Sequence, residues 1–279
     1  SFEFLTSEEG LGLDPQRLYV SCFKGDNEVP TDQEAIKIWQ EQFAKAGIIA
    51  EVGKRIFLYG REKNWWEAGV GPCGPDAEMF YETSKTHDKK FGEACHPNCD
   101  CGHFMEIGND VFVQYNKTKE GVYEPLAQRS IDNGRGFERL VMVTQGKDTV
   151  FETDLFSSFI DQIKEVSHTL NPKIVRILAD HLRSSIFLIA DGIRPSNKEA
   201  GYILRRLLRR VLAYSAKYDI HADLFPLVLE RVVENFGEAY PELNNKKEIT
   251  NVYYEERDKF NKAIGDGLKG FNNLISAAK

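Results

Sequence analysis

The stretch Ile131-Asp132-Asn133-Gly134-Arg135-Gly136-Phe137-Glu138-Arg139-Leu140 decides how this chain is read. An apolar Ile131 precedes an acid, two glycines and an arginine. Phe137, Leu140, Val141 and Val143 then begin an apolar face at helical spacing. The pattern predicts a strand end that turns through glycines and opens a helix. Gly134 and Gly136 have no Cβ, so a flat ligand can lie against the backbone there. Asp132 suits an ammonium group, and the planar donor fork of Arg139 suits phosphate. Alone, such a turn serves structure about as often as binding, and its weight comes from other stretches that point the same way.

Around that stretch lie 279 residues, enough for two cores. A hydrophobic share of 42% and a charged share of 28% fit an ordinary soluble protein. No apolar run approaches the roughly 20 residues that span a bilayer, and Ile186–Ala190 is far too short. No membrane role and a cytoplasmic location are therefore expected. Ser1-Phe2-Glu3-Phe4 shows no signal-peptide pattern and no starting Met, which predicts a piece of a longer protein. A net charge of −7 argues against bulk nucleic-acid binding but permits a local basic patch.

Upstream of the turn, Leu18–Phe23 and Ile56–Tyr59 read as strands. Thr31 with Glu34 reads as a capping box for a helix over Asp32–Ala46, stopped by Gly47. Asn64–Pro75 carries three Gly and two Pro after Trp65 and Trp66, which predicts an irregular loop whose aromatic area packs or binds. Ala77–Glu82 and Phe104–Tyr115 follow as strands. In the second, Asn109 shares the parity of Ile107, Val111 and Val113, so it faces inward and needs partners. Between these strands, Cys95, Cys99, Cys101 and His103 offer soft ligands for a tetrahedral Zn²⁺ site, with His96 beside them. A reduced surface loop is the alternative.

Downstream, the period changes to helical. Asp154–Lys164 is one helix. Ile174 through Ile189 keep 3.6 spacing, with His181 read as a core histidine. Asp191–Asn197 breaks the pattern and Ala200–Tyr214 resumes it. There Leu204, Leu207, Leu208, Val211 and Leu212 form an apolar stripe. Arg205, Arg206, Arg209 and Arg210 form a basic face, read as a local anion site in an acidic chain. Phe225–Phe236 and Lys246–Ile275 are further helices.

These motifs in this order resemble the alanyl-tRNA synthetase family of class II aminoacyl-tRNA synthetases. The resemblance rests on Asn64-Trp65-Trp66-Glu67, Gly71-Pro72-Cys73-Gly74-Pro75, Glu106 through Phe112, Asp132 through Arg139, Ala179-Asp180-His181 and Asp191 through Arg210. It implies an α+β fold, with a class II synthetase-type antiparallel sheet and flanking helices over 1–167. An all-α tRNA-recognition domain, over 168–279, follows. It also implies ATP with Mg²⁺, alanine and tRNA(Ala) as partners.

By the same resemblance, Trp66, Ile107, Gly108, Asn109 and Gly136 line the ATP and alanine pocket. Asn109 and Asp132 hold the alanine amino group, and Arg139 faces the γ-phosphate as the catalytic arginine. Asn197 lies near the acceptor-stem G·U pair, and the Arg205–Arg210 face meets phosphates. Two departures stand out. Gly108 occupies a position where many relatives carry Trp, and the family's first two signatures find no match here. The second of these supplies an α-phosphate arginine, so the expectation is a chain inactive alone that needs the missing parts of the synthetase. The other reading is a noncatalytic module that binds the tRNA acceptor stem.

Overall fold

A computed structural model describes residues 1–167 and 170–277, with side chains through Gly267 and at Lys269. It divides into two compact units, Ser1–Thr153 and Asp154–Lys279. The expected boundary at 167/168 abuts His168 and Thr169, which lie outside the described residues.

The first unit is a mixed sheet with helices packed against it. Its elements run α1 (Phe2–Thr6), β1 (Leu18–Phe23), α2 (Gln33–Lys45), β2 (Ile56–Tyr59), α3 (Arg61–Asn64), β3 (Trp65–Glu67), β4 (Gly71–Glu82), β5 (Phe104–Lys117), β6 (Tyr123–Arg135) and α4 (Phe137–Thr144). The sheet order is β2-β1-β4-β5-β6, and β3 pairs with β4. The β1–β2 pair is parallel and the other strand pairs are antiparallel. Leu18, Val20, Cys22, Ala77, Met79 and Tyr81 project from one face into a core with Leu5, Ile36, Trp39 and Phe43 of α1 and α2. Alternation along a strand sends the intervening residues to the other face. The glycine turn after Ile131 behaves as its sequence predicts, with β6 ending at Arg135, Gly136 at the N-cap and α4 beginning at Phe137.

Two local expectations are corrected. The Asn64–Pro75 run is not an irregular loop but most of a β-hairpin, in which Trp65, Trp66 and Glu67 pair with Pro75, Gly74 and Cys73. Its breakers sit where a sheet tolerates them. The β4–β5 register shifts between Cys73 and Asp76, so Gly74 and Pro75 occupy a bulge. A Cβ on Gly74 would lie 1.9 Å from the Phe112 carbonyl oxygen, so the strands approach there only because the residue is glycine. The cap of α2 also moves by one residue. Asp32, not Thr31, accepts the Ala35 amide at 3.0 Å, while the Thr31 hydroxyl donates to the Lys24 carbonyl.

The second unit is helical, with α5 (Asp154–Glu165), α6 (Pro172–Ala190), α7 (Glu199–Lys217), α8 (Leu224–Phe236) and α9 (Lys246–Ala277). The helix α5 packs against α6 and α8. Leu204, Leu208 and Val211 of α7 are buried, as the apolar stripe requires, and Tyr253 stacks on Phe225 with ring centroids 4.1 Å apart. No described helix is long and apolar enough to cross a membrane.

Candidate functional site

On the sheet face away from α1 and α2, a polar row crosses four strands. Ser21 pairs with Glu78, Glu78 with Asn109, and Asn109 with Gly134. Two residues along, Asp76 pairs with Val111 and Val111 with Asp132. Cross-strand partners share a face, so Asp76, Glu78, Asn109 and Asp132 face the same space.

Hydrogen bonds tie the row together. Asn64, fully buried at the end of α3, donates to Ser21 Oγ at 2.8 Å and to Asp76 Oδ1 at 3.1 Å. Ser21 in turn donates to Glu78 Oε2 at 3.1 Å. Burial pushes the Asp76 carboxyl up to about 6, against the lowering effect of donors from Asn64 and Asn109. Burial, with Asp76 and Glu106 nearby, pushes Glu78 up to about 7.

The raised values fix a sign. The folded protein holds protons that an unfolded chain releases, so the pair's contribution is fully present below about pH 4, the ordinary carboxylate range. It is lost as pH rises through about 6 and then about 7. Urea unfolding at pH 5, 6, 7 and 8 should show stability falling across this window. Glu78→Gln should flatten the upper half of the fall, and an unchanged slope in that variant would contradict the assignment.

The other residues expected at the site lie around this row. Trp66 is 42% exposed on β3, whereas Trp65 packs against Phe23 and Tyr123. Asp132 is exposed. The Ile107 side chain is fully buried in the core, so only its backbone is available to a ligand. At Gly108 a Cβ would lie 2.5 Å from Arg135 Cδ and 2.6 Å from the Gly134 carbonyl oxygen, so the Arg135 side chain covers this position. Arg139 Nη1 donates to the Glu106 carbonyl at 3.0 Å and to its carboxylate at 2.9 Å. The Arg139 stem runs past Gly136, where a Cβ would meet Cδ at 3.1 Å.

Beyond β4, Cys95, Cys99 and Cys101 converge with His87, and their ligand atoms all lie within 4.8 Å of one another. Two of the separations are 3.6 Å (Cys95 Sγ to Cys101 Sγ) and 3.8 Å (Cys99 Sγ to His87 Nδ1). A tetrahedron with metal–sulfur bonds of about 2.3 Å has edges of about 3.8 Å, so these separations match a zinc-sized centre. His87 Nε2 bonds the Gly92 carbonyl at 2.8 Å, which orients the ring. His103, expected among the ligands, is occupied elsewhere. Its Nδ1 bonds the Lys85 carbonyl and its Nε2 faces Glu82 at 3.4 Å.

In the helical unit, the four arginines of α7 divide. Arg209 Nε donates to Glu256 of α9 at 2.6 Å, and Glu256 is only 3% exposed. Arg210 Nη1 lies 3.2 Å from Nε2 of the buried His181, whose Nδ1 is 3.1 Å from Asp180. Arg206 and Arg210 are exposed, Arg205 is half-buried, and Asn197 is exposed two residues before α7.

A family model described as tRNA synthetases class II (A) matches residues 1–279. The chain belongs to the class II tRNA synthetases. An alanine–tRNA ligase of Borrelia hermsii is 37% identical over 99% of this chain and 46% of its own length. Those of Petrotoga mobilis (38% identical) and a Thermoanaerobacter species (37%) cover 99% and 100% of the chain and 31% of their own lengths. The chain thus spans less than half the length of these curated relatives.

Within this class II domain, four residues of interest escaped the sequence reading. Asp76 and Glu78 share one strand parity, the same signal that singles out Asn109, but Glu78 reads only as one residue of the strand Ala77–Glu82, and Asp76 falls between that strand and the Gly74-Pro75 breakers. Asn64 was seen only as part of a motif. His87 stands eight residues before Cys95, outside the compact Cys/His run, and only the folded loop brings it in.

Proposed function

We propose that this chain carries part of the site of an alanine–tRNA ligase. An alanine carboxylate oxygen attacks the α-phosphorus of ATP, pyrophosphate leaves, and the resulting alanyl-adenylate passes its alanyl group to tRNA(Ala). The observation that carries this is the polar row itself. It sets an amide, Asn109, and a carboxylate, Asp132, on adjacent strands of one face, two acceptors for an ammonium group. Trp66 and the backbone of Ile107, Gly108 and Gly136 form the surroundings of the nucleotide. ATP enters with Mg²⁺ on its phosphates, as part of the substrate. Arg139 meets the γ-phosphate by exchanging its Glu106 contacts for it. The chemistry demands positioning and charge stabilisation rather than a covalent enzyme intermediate. In the nearby loop, Cys95, Cys99, Cys101 and His87 hold Zn²⁺, which ties the segment between β4 and β5 together.

The helical unit serves the acceptor stem. Arg205, Arg206 and Arg210 meet phosphates, and Asn197 reads a base-pair edge in the shallow RNA minor groove. Arg209 supports the others by holding α7 to α9. Titrating acceptor-stem hairpins with and without a G·U pair at several salt concentrations tests this. Arg206→Ala should weaken both hairpins alike and reduce the slope of log affinity against log salt by about 0.7–0.9. Asn197→Ala should remove the G·U preference and leave that slope alone. An unchanged slope in Arg206→Ala would reduce this face to a solvated helix surface.

A further inference from the structure

Arg135 closes β6 between two glycines, Gly134 and Gly136, on the sheet face opposite Asn109. Its guanidinium reaches the backbone beneath the site. Nη1 donates to the Gly134 carbonyl at 2.9 Å and to the Asn109 carbonyl at 3.1 Å. Asn109 and Gly134 are partners across β5 and β6, so one nitrogen spans the pair. The other arm of the fork is anchored. Nη2 donates to Ser1 Oγ at 2.6 Å and to Asp110 Oδ1 at 3.4 Å, and Ser1 Oγ donates to the same Oδ1 at 2.8 Å. The Asn133 amide donates to both Ser1 and Asp110. The ion pair is enclosed, with the Arg135 side chain 14% exposed and that of Asp110 11%. We propose that Arg135 is a positioning residue that fastens β5 to β6 beneath the ammonium site, so that Asn109 and Asp132 keep one spacing. The inference rests on the reading of those two residues as the alanine ammonium site, and it adds what holds them in place.

The local structure calls for such a tie. The β4–β5 register passes from Gly108 to Glu106 and skips Ile107, so β5 is bulged two residues before Asn109. A bulge interrupts the ladder on that side. On β6, the glycines flanking Arg135 restrain the backbone least. A slip of one residue would send Asn109 to the opposite face. Gly108 makes room for the tie, since a Cβ there would lie 2.5 Å from Arg135 Cδ. The task also suits Arg alone. A planar fork holds carbonyls with one nitrogen and a carboxylate with another, whereas a Lys ammonium is a single point.

Two measurements test the proposal on the chain as it stands. In the ligand-free protein, the ¹³C resonance of the Asn109 carbonyl, 26 residues from Arg135 in sequence, should move on Arg135→Lys. An unmoved resonance would overturn the proposal even if no ligand is bound. The second measurement compares binding of alanyl-sulfamoyladenosine with its desamino counterpart, propionyl-sulfamoyladenosine. The unmodified chain should prefer the amino compound. Arg135→Ala and Arg135→Lys should each cut that preference by about 10- to 100-fold, the worth of a hydrogen bond to a charged group. Arg135→Lys keeps a positive charge beside Asp110, which guards against a variant that merely fails to fold. Binding of the desamino compound should persist in it. An equal loss for both compounds would make Arg135 a residue of the fold alone and overturn the positioning role. So would a preference intact in either variant, and both results would spare the ammonium site. No preference in the unmodified chain would sink both readings.

Discussion

Arg209→Ala should lower the free energy of unfolding by about 3 kcal/mol, although a basic helix face suggests a residue that matters only for RNA. Its partner decides this. Glu256 is 3% exposed and its carboxylate receives the Arg209 Nε at 2.6 Å. Removing one member of a buried pair leaves the other charge uncompensated, at a typical cost of about 3–5 kcal/mol. The low end applies because the Arg209 side chain is 38% exposed and water can follow it in. Replacing both residues by Leu should recover most of the loss, since the desolvated charge is gone as well. Urea denaturation of the two single variants and the double variant measures this. A loss below about 0.5 kcal/mol in Arg209→Ala would place the pair among ordinary surface ion pairs.

The larger effect should come from the cysteine loop. Purified chain should contain about one zinc ion, and chelation should lower its melting temperature by about 8–16 °C. The figure follows from binding linkage. A ligand held at a thousandfold excess over its dissociation constant contributes about 4 kcal/mol, and each kcal/mol shifts melting by about 2–4 °C in a domain of 150–250 residues. His87→Ala should lose metal and stability together, whereas His103→Ala should keep the metal, because its ring nitrogens already face Lys85 and Glu82. The loop is also joined to the sheet, since His96 Nδ1 bonds the Tyr59 hydroxyl at 3.0 Å. Its loosening should therefore reach β2. A metal-free preparation with unchanged melting would remove zinc from the account.

The fold was legible wherever burial imposed a period. The strands at Leu18–Phe23 and Ile56–Tyr59 and the helices of the second unit stand close to where their patterns place them, because each has one face that must be covered. What escaped was held by other forces. Most of β6 between Tyr123 and Ser130 is exposed, and with no face to bury its sequence carries no alternation. The hairpin of β3 and β4 was hidden by Gly74 and Pro75, which the sheet absorbs in a bulge. Capping by Asp32 rather than Thr31 turned on where the Thr31 hydroxyl finds its partner, seven residues back at Lys24. The site was legible at Asn109, Asp132 and Arg139, which lie in recognisable stretches. Asp76, Asn64 and His87 act through partners distant in sequence, and only the strand register and the folded loop bring them together.

The most direct test is a crystal structure of the chain with alanyl-sulfamoyladenosine. The ligand should lie on the sheet face that carries Glu78 and Asn109, with its ammonium within hydrogen-bond distance of both Asn109 Oδ1 and the Asp132 carboxylate. A ligand on the opposite face, beside Asp110, or an ammonium that contacts neither Asn109 nor Asp132, would contradict it.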